Sequence, residues 1–417
     1  MINKKYILFL AFFLVLGISS WGSAPGNVQW TFPPARDSSL DPIFFTEFIG
    51  PEPFVTVISL MPEVLPEPEP QLFIVEDTFD PIDEIIFSMS LYEKVGQLFI
   101  ARLPNHQCAI NLIEEYHIGG FIFFGDHITT IAGVQQQIYA LQDAAELPLF
   151  IAVDEEGGRV SRVGRLFTEG RIASAFTLGS LGDPERVQYL YHHIGQNLAA
   201  LGFNMNFAPV ADIWTNPANT VIGDRSFGTE PEIVSVMVEA AVRGLHEAGI
   251  LAVIKHFPGH GDTIEDSHYQ MAFFHHNYER FMQIEAIPFK RGIAAGADGV
   301  MIGHIATPLI SPNSPTLPAT FSDYFIQTIL RQEWGFEGLI ITDALDMRGL
   351  TRYFSEEEII INAFLAGSDI LLMPVNPEQA ITALINAYKD GTIESQLFHT
   401  RLNESLRRIL KVKLCTD

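Results

Sequence analysis

From about residue 83 onward, short apolar runs alternate with longer amphipathic segments. Eight such runs recur, at 96–101, 120–124, 147–153, 204–210, 251–256, 299–303, 338–342 and 369–373. They are apolar nearly throughout rather than alternating, the pattern of strands covered on both faces. The segments between them, such as 230–248 and 278–295, carry apolar residues at helical spacing. Strand and helix repeated in this way predict an α/β fold, a single (β/α)8 TIM-type barrel of parallel strands. A doubly wound open sheet is the alternative, but no Gly-rich phosphate fingerprint opens the first helix.

Polar residues interrupt the pattern at one end of the runs. Asp154-Glu155-Glu156-Gly157-Gly158-Arg159 follows the third run, Asp212 the fourth, Lys255-His256 closes the fifth, His304 follows the sixth and Asp343 the seventh. One or two of these could be helix caps. Five in register point instead to the C-terminal face of a barrel, where such folds build their sites.

Composition changes the picture mainly before residue 83. Lys4 and Lys5 precede an apolar run from Tyr6 to Ile18, followed by Ser19, Ser20, Gly22, Ser23 and Ala24. That is the order of an export signal, so 1–24 is expected to be a signal peptide or an N-terminal anchor and the protein extracellular or associated with the cell surface. Residues 25–82 are rich in Pro and acids, as in PEVLPEPEP, and no Lys or Arg occurs between Arg36 and Lys94. They are expected to form an acidic spacer, leaving 83–417 as the barrel domain and allowing a tether to membrane or wall. The formal net charge of −25 argues against nucleic acid as a partner. Cys108 and Cys415 make no disulfide framework and read as free thiols.

The chemistry concentrates in LAVIKHFPGHGDTIEDSH, residues 251–268. An apolar strand ends at Lys255-His256, the chain turns at Pro258, Gly259 and Gly261, and Asp266 and His268 follow. An acid beside a histidine after such a hinge suits a proton-transfer group on a loop. His256, His260 and His268 near Asp262 and Asp266 raise a metal site as another reading, but no pair has the HExxH spacing, and no metal or cofactor is expected. In ITDALDM, Asp343 leaves a β-branched strand that fixes its backbone, whereas Asp346 reads as a cap of the next helix.

The eighteen residues resemble the signature of family 3 glycoside hydrolases in the β-N-acetylglucosaminidase branch, K-H-F-P-G-H-G followed by D-S-H, and ITDALDM resembles the family's nucleophile motif. The resemblance runs from about Ser88 to the end. It implies a retaining glycosidase with Asp343 as nucleophile and a His268/Asp266 acid/base dyad, acting on an oligosaccharide that is cell-wall-derived or chitin-like. It further implies that Asp154, Arg162, Arg225, Lys255 and His256 bind the sugar, with Gly157 and Gly158 admitting close backbone approach. About forty residues follow the eighth run, too few for the second domain that carries the acid/base in the β-glucosidase branch of the family, so the resemblance leads to the expectation of a proton donor within the barrel. A β-glucosidase or β-xylosidase of the same family stays open, as does phosphorolysis, because a neutral histidine base repels phosphate less than a carboxylate does. A non-catalytic sugar-binding protein is the alternative of another class.

Overall fold

The computed structural model describes residues 81–311 and 316–414. The expected signal segment, nearly all of the expected spacer and Cys415 lie outside the described residues; Cys108 is a free, exposed thiol. The last two spacer positions, Pro81 and Ile82, already belong to a helix, Pro81–Ser88. Its Ile82 packs partly buried against the core, Ile86 is buried and Asp83 pairs with Arg407 at 2.5 Å, so ordered packing already includes Ile82.

The strands are β1 (Phe99–Arg102), β2 (Gly120–Phe123), β3 (Phe150–Val153), β4 (Met205–Asn206), β5 (Leu251–Phe257), β6 (Ala272–Phe273), β7 (Gly299–Ile302), β8 (Ile305–Ala306), β9 (Leu339–Thr342) and β10 (Leu371–Leu372). Eight of them form one parallel sheet in the order β10-β1-β2-β3-β4-β5-β7-β9. Its two ends meet through a parallel bridge between Ile341 and Ile370 and the Thr342 N–H to Ile370 carbonyl bond of 3.0 Å. The result is the nearly closed eight-stranded barrel that the sequence pattern predicts. β6 and β8 pair separately with each other, a small parallel addition that the pattern did not signal.

Helices cover the outside of the ring. Pro184–Leu201 begins at an Asp183 cap with proline in its first turn and ends at Gly202, in the left-handed conformation with φ 96°. Pro231–Glu247 matches the amphipathic segment 230–248, and its Val234, Val238, Ala241 and Leu245 are buried. The barrel strands are buried on both faces, which is why their sequences do not alternate.

Three expectations are corrected. Residues 91–96 are helical, because Ser90 and Glu93 form a reciprocal capping box, and β1 starts only at Phe99. The segment 278–295 is two helices, Tyr278–Gln283 and Ala286–Ala294, broken where the buried Glu285 turns to Arg280 at 3.1 Å. The fourth run pairs as a ladder only at Met205–Asn206. Beside it the Asn204 side-chain amide stands in for backbone, accepting from Ile151 N–H at 2.7 Å and donating to the Leu149 carbonyl at 2.8 Å, and Pro209 has no N–H to offer.

Candidate active site

The eight residues singled out from the sequence line a single cavity of about 640 Å³ at the C-terminal ends of the strands: Asp154, Arg162, Arg225, Lys255, His256, Asp266, His268 and Asp343. Its apolar wall includes Phe124, Phe207 and Met301.

Charge on the floor is arranged before any ligand arrives. The Glu156 carboxylate accepts from Arg225 Nε and Nη2 at 2.8 Å each and lies 2.7 Å from Lys255 Nζ, which also donates to Asp154 at 2.5 Å. Burial alone would raise the Glu156 pKa; the Arg225 and Lys255 charges overcome it and hold the carboxyl ionised far below its ordinary range. Burial likewise opposes the Lys255 charge, but Asp154 and Glu156 outweigh it and raise the ammonium above its ordinary value. Lys255 thus serves as a fixed cation with one remaining donor rather than as a proton carrier. Removing one member of such a buried set leaves an uncompensated charge, a loss of about 3–5 kcal/mol.

Asp212 organises a second cluster. It accepts the ring Nδ1–H of His256 at 2.7 Å and the backbone N–H of His260 at 2.6 Å. With its proton on Nδ1, His256 leaves Nε2 to accept from Arg225 at 3.4 Å, so its ring edge is oriented from both sides. The Lys255–His256 peptide is cis. His260 is buried, with Nδ1 on Thr263 Oγ1 at 2.6 Å and Nε2 on Ser267 Oγ at 2.9 Å.

Burial, reinforced by His256, pushes the His260 pKa down from 6.5 to about 4. Between those values the unfolded chain binds a proton that the folded chain refuses, so stability falls as pH drops through the window, by roughly 3 kcal/mol once pH 4 is reached. Thermal melts from pH 7.5 to 4 should therefore slope more steeply for the wild type than for His260→Gln, whose amide can occupy the same two hydrogen-bonding directions. Parallel slopes would mean that His260 titrates normally in the fold.

The third element is the loop after β5. Asp266 Oδ1 accepts both the His268 Nδ1–H at 2.7 Å and its backbone N–H at 2.9 Å, while the His268 ring stands in the cavity mouth with 59% of its side-chain surface exposed. Across from it, Asp343 at the end of β9 is held by its own N–H to the Ile302 carbonyl at 2.9 Å, and its carboxylate accepts from Ala344 N–H at 2.8 Å. Burial pushes the Asp343 pKa up; His256, His304 and the Ala344 N–H together bring it below the ordinary value and keep it ionised. His304 also fixes the following peptide, donating from Nε2 to the Ala344 carbonyl at 2.9 Å and accepting from Thr320 Oγ1 at 2.7 Å.

Two assignments change. Asp346 does not cap the next helix, whose N-cap is Met347; it lines the cavity, and burial together with the Asp343 charge raises its pKa. Gly157 and Gly158 do not line the cavity. They take φ of 90° and 53° to turn the loop, where a Cβ would come within 2.6 Å of Ile172 and 2.8 Å of Ser174. That loop is tied down by Glu155, which accepts from Ser161 Oγ at 2.5 Å and from the Arg162 and Val163 N–H groups at 2.6 Å each. This carries Arg162 to the rim, where its guanidinium lies 5.9 Å from the Phe124 ring centre and its Nε is buried without a hydrogen-bond partner among the described residues. Sequence reasoning missed Glu156 as the counter-ion of the floor, and it named Asp212 and His304 without a role. The available signal was electrostatic: an Arg and a Lys converging in a barrel mouth require a buried anion.

The Glycosyl hydrolase family 3 N terminal domain matches residues 90–412. A relative named Beta-hexosaminidase A from Pseudoalteromonas piscicida is 36% identical over 72% of this chain and 54% of its own length. A Beta-hexosaminidase from Nitrosomonas eutropha is 37% identical over 63% of this chain and 75% of its own. Among solved structures, a glycoside hydrolase family 3 beta-N-acetylglucosaminidase from Paenibacillus superposes with a TM-score of 0.75 at 38% identity, covering 79% of this chain and 63% of that one. The chain therefore spans little more than half of the Pseudoalteromonas relative and less than two thirds of the Paenibacillus protein.

Proposed function

The chain belongs to glycosyl hydrolase family 3, and from that premise we propose that it removes terminal β-linked N-acetylglucosamine from cell-wall-derived or chitin-like oligosaccharides with retention of configuration. In the first step the ionised Asp343 attacks the anomeric carbon while the bond from that carbon to the leaving oxygen breaks. His268 supplies the proton that the leaving oxygen takes. Its Nδ1–H is committed to Asp266, so the transferable proton sits on Nε2. In the second step a water attacks the glycosyl-enzyme, the now neutral Nε2 accepts its proton, and Asp343 departs. Asp154, Arg162, Arg225, Lys255 and His256 hold the ring hydroxyls, carboxylates accepting and cations donating.

The observation that carries this reading is the convergence of two kinds of group on one cavity: a half-buried carboxylate kept ionised, and an exposed histidine whose Nδ1–H is committed to Asp266. The test is release of the chromophore from an N-acetylglucosaminide by the purified protein, run with and without inorganic phosphate. Hydrolysis unaffected by phosphate is the expected result. Accumulation of glycosyl-1-phosphate would move the reading to phosphorolysis, and no turnover with any glycoside would move it to a sugar-binding protein.

Residues 1–24 act as the export signal or anchor and 25–82 as the spacer that carries the enzyme at the cell surface. A chain starting at Asp80 is expected to be soluble and to match the kcat/KM of the full chain, because every proposed site residue follows the boundary. Loss of folding on that truncation would place the apolar patches at 43–45 and 54–60 in the core.

A further inference from the structure

We infer that Ser267 and Gly349 act together as positioning residues that fix where His268 stands relative to Asp343; the inference rests on the reading of His268 as the acid/base. Ser267 precedes His268 directly and is buried, whereas the His268 side chain is largely exposed. Both faces of Ser267 are engaged. Its hydroxyl meets His260 Nε2 at 2.9 Å, and its carbonyl accepts the Gly349 N–H at 3.1 Å. The next carbonyl, that of His268, accepts the Arg348 N–H at 3.3 Å.

These contacts join the two halves of the proposed chemistry. On one side the chain of bonds runs from Ser267 to His260, from the His260 N–H to Asp212 and from Asp212 to His256 in the sugar pocket. On the other it reaches Arg348 and Gly349, at the start of the helix Arg348–Thr351 that follows the Asp343 strand end. The proton relationships are consistent throughout. Thr263 donates to the His260 carbonyl at 2.9 Å, so its oxygen takes the His260 Nδ1–H, and Nε2 is left to accept the Ser267 hydroxyl.

Gly349 is needed for the close approach. A Cβ there would lie 2.5 Å from the Ser267 carbonyl oxygen and 3.3 Å from that of Gln270. Both neighbours are backbone of the loop that carries His268, so a methyl group must push that loop away. Because the ring is largely exposed and its Nδ1–H is held by Asp266 of the same loop, displacement of the loop backbone carries Nε2 with it.

Gly349→Ala should therefore lower kcat/KM, which reports the first step alone, for substrates with poor leaving groups by roughly tenfold to a hundredfold, the scale on which displacements of about an ångström act. Activated phenyl glycosides, which need little proton assistance, should lose less than about threefold. Inhibition by free N-acetylglucosamine should be unchanged, since the floor of the pocket is untouched. In a His268→Ala background the same substitution should add no further loss, because its effect passes through the missing ring. Ser267→Ala should give a milder form of the same pattern and carries the test should Gly349→Ala not fold. Equal loss on all substrates, or a loss that adds to that of His268→Ala, overturns the inference. If His268→Ala itself shows no dependence on the leaving group, the acid/base reading fails and this inference with it; a dependent His268→Ala beside a uniform Gly349→Ala fails the inference alone.

Discussion

Asp343→Ala should abolish turnover by roughly three orders of magnitude or more, the scale at which a group that forms the covalent intermediate contributes. The fold should survive. Among the described residues the Asp343 side chain accepts only the N–H of its own neighbour, and the backbone bond to Ile302 that holds the strand end remains in the variant. His256 and His304, which face the Asp343 carboxylate and lower its pKa, keep their partners in Asp212, Ala344 and Thr320. Azide supplied to this variant should take the place of the missing carboxylate and yield an α-glycosyl azide, with His268 still protonating the leaving group. Retention of more than about a tenth of wild-type activity would exclude Asp343 as nucleophile.

His268→Ala should produce the complementary pattern. Sugars and simple alcohols are poor leaving groups, and their release should fall by roughly 10²–10⁴-fold, the range in which a general acid acts. Activated phenols should be affected far less in the first step. Their second step still needs a base, so the glycosyl-enzyme should accumulate as a burst, and azide, which attacks without being deprotonated, should restore turnover and give a β-glycosyl azide. The opposite anomers from the two variants assign the two roles independently. Asp266→Asn should be milder, since it keeps the ring but weakens the acceptor that holds Nδ1–H and orients the ring. A uniform loss without azide rescue would require another proton donor.

The legibility of these residues in the sequence follows from how far apart their partners lie. Asp266 and His268 are two positions apart, and their contact is a local turn that the spelling D-S-H nearly specifies. The strands were legible for a similar reason, since an apolar run of five to seven residues between amphipathic segments has few other uses in an α/β chain. Local competition explains where their boundaries shifted. At 91–96 a capping box favours a helix, and in the fourth run the Asn204 side chain takes the place of ladder bonds and Pro209 lacks the N–H for one.

What the sequence by itself determined is therefore the alternation of elements, the end of the barrel on which polar residues gather, and the local contact of Asp266 with His268. Only the tertiary structure decided which charge answers which. Glu156 meets Arg225 across 69 positions, Asp154 meets Lys255 across 101, and Asp212 meets His256 across 44. No periodicity encodes such pairs, because they depend on closure of the ring and on the register with which β3 and β5 present their ends. The Ser267–Gly349 contact belongs to the same class: a glycine reads as a turn until the fold brings a carbonyl to within 2.5 Å of where its side chain would be. Sequence carries the chemistry of each side chain, while pKa, orientation and partner are properties of the field and contacts that the closed barrel creates.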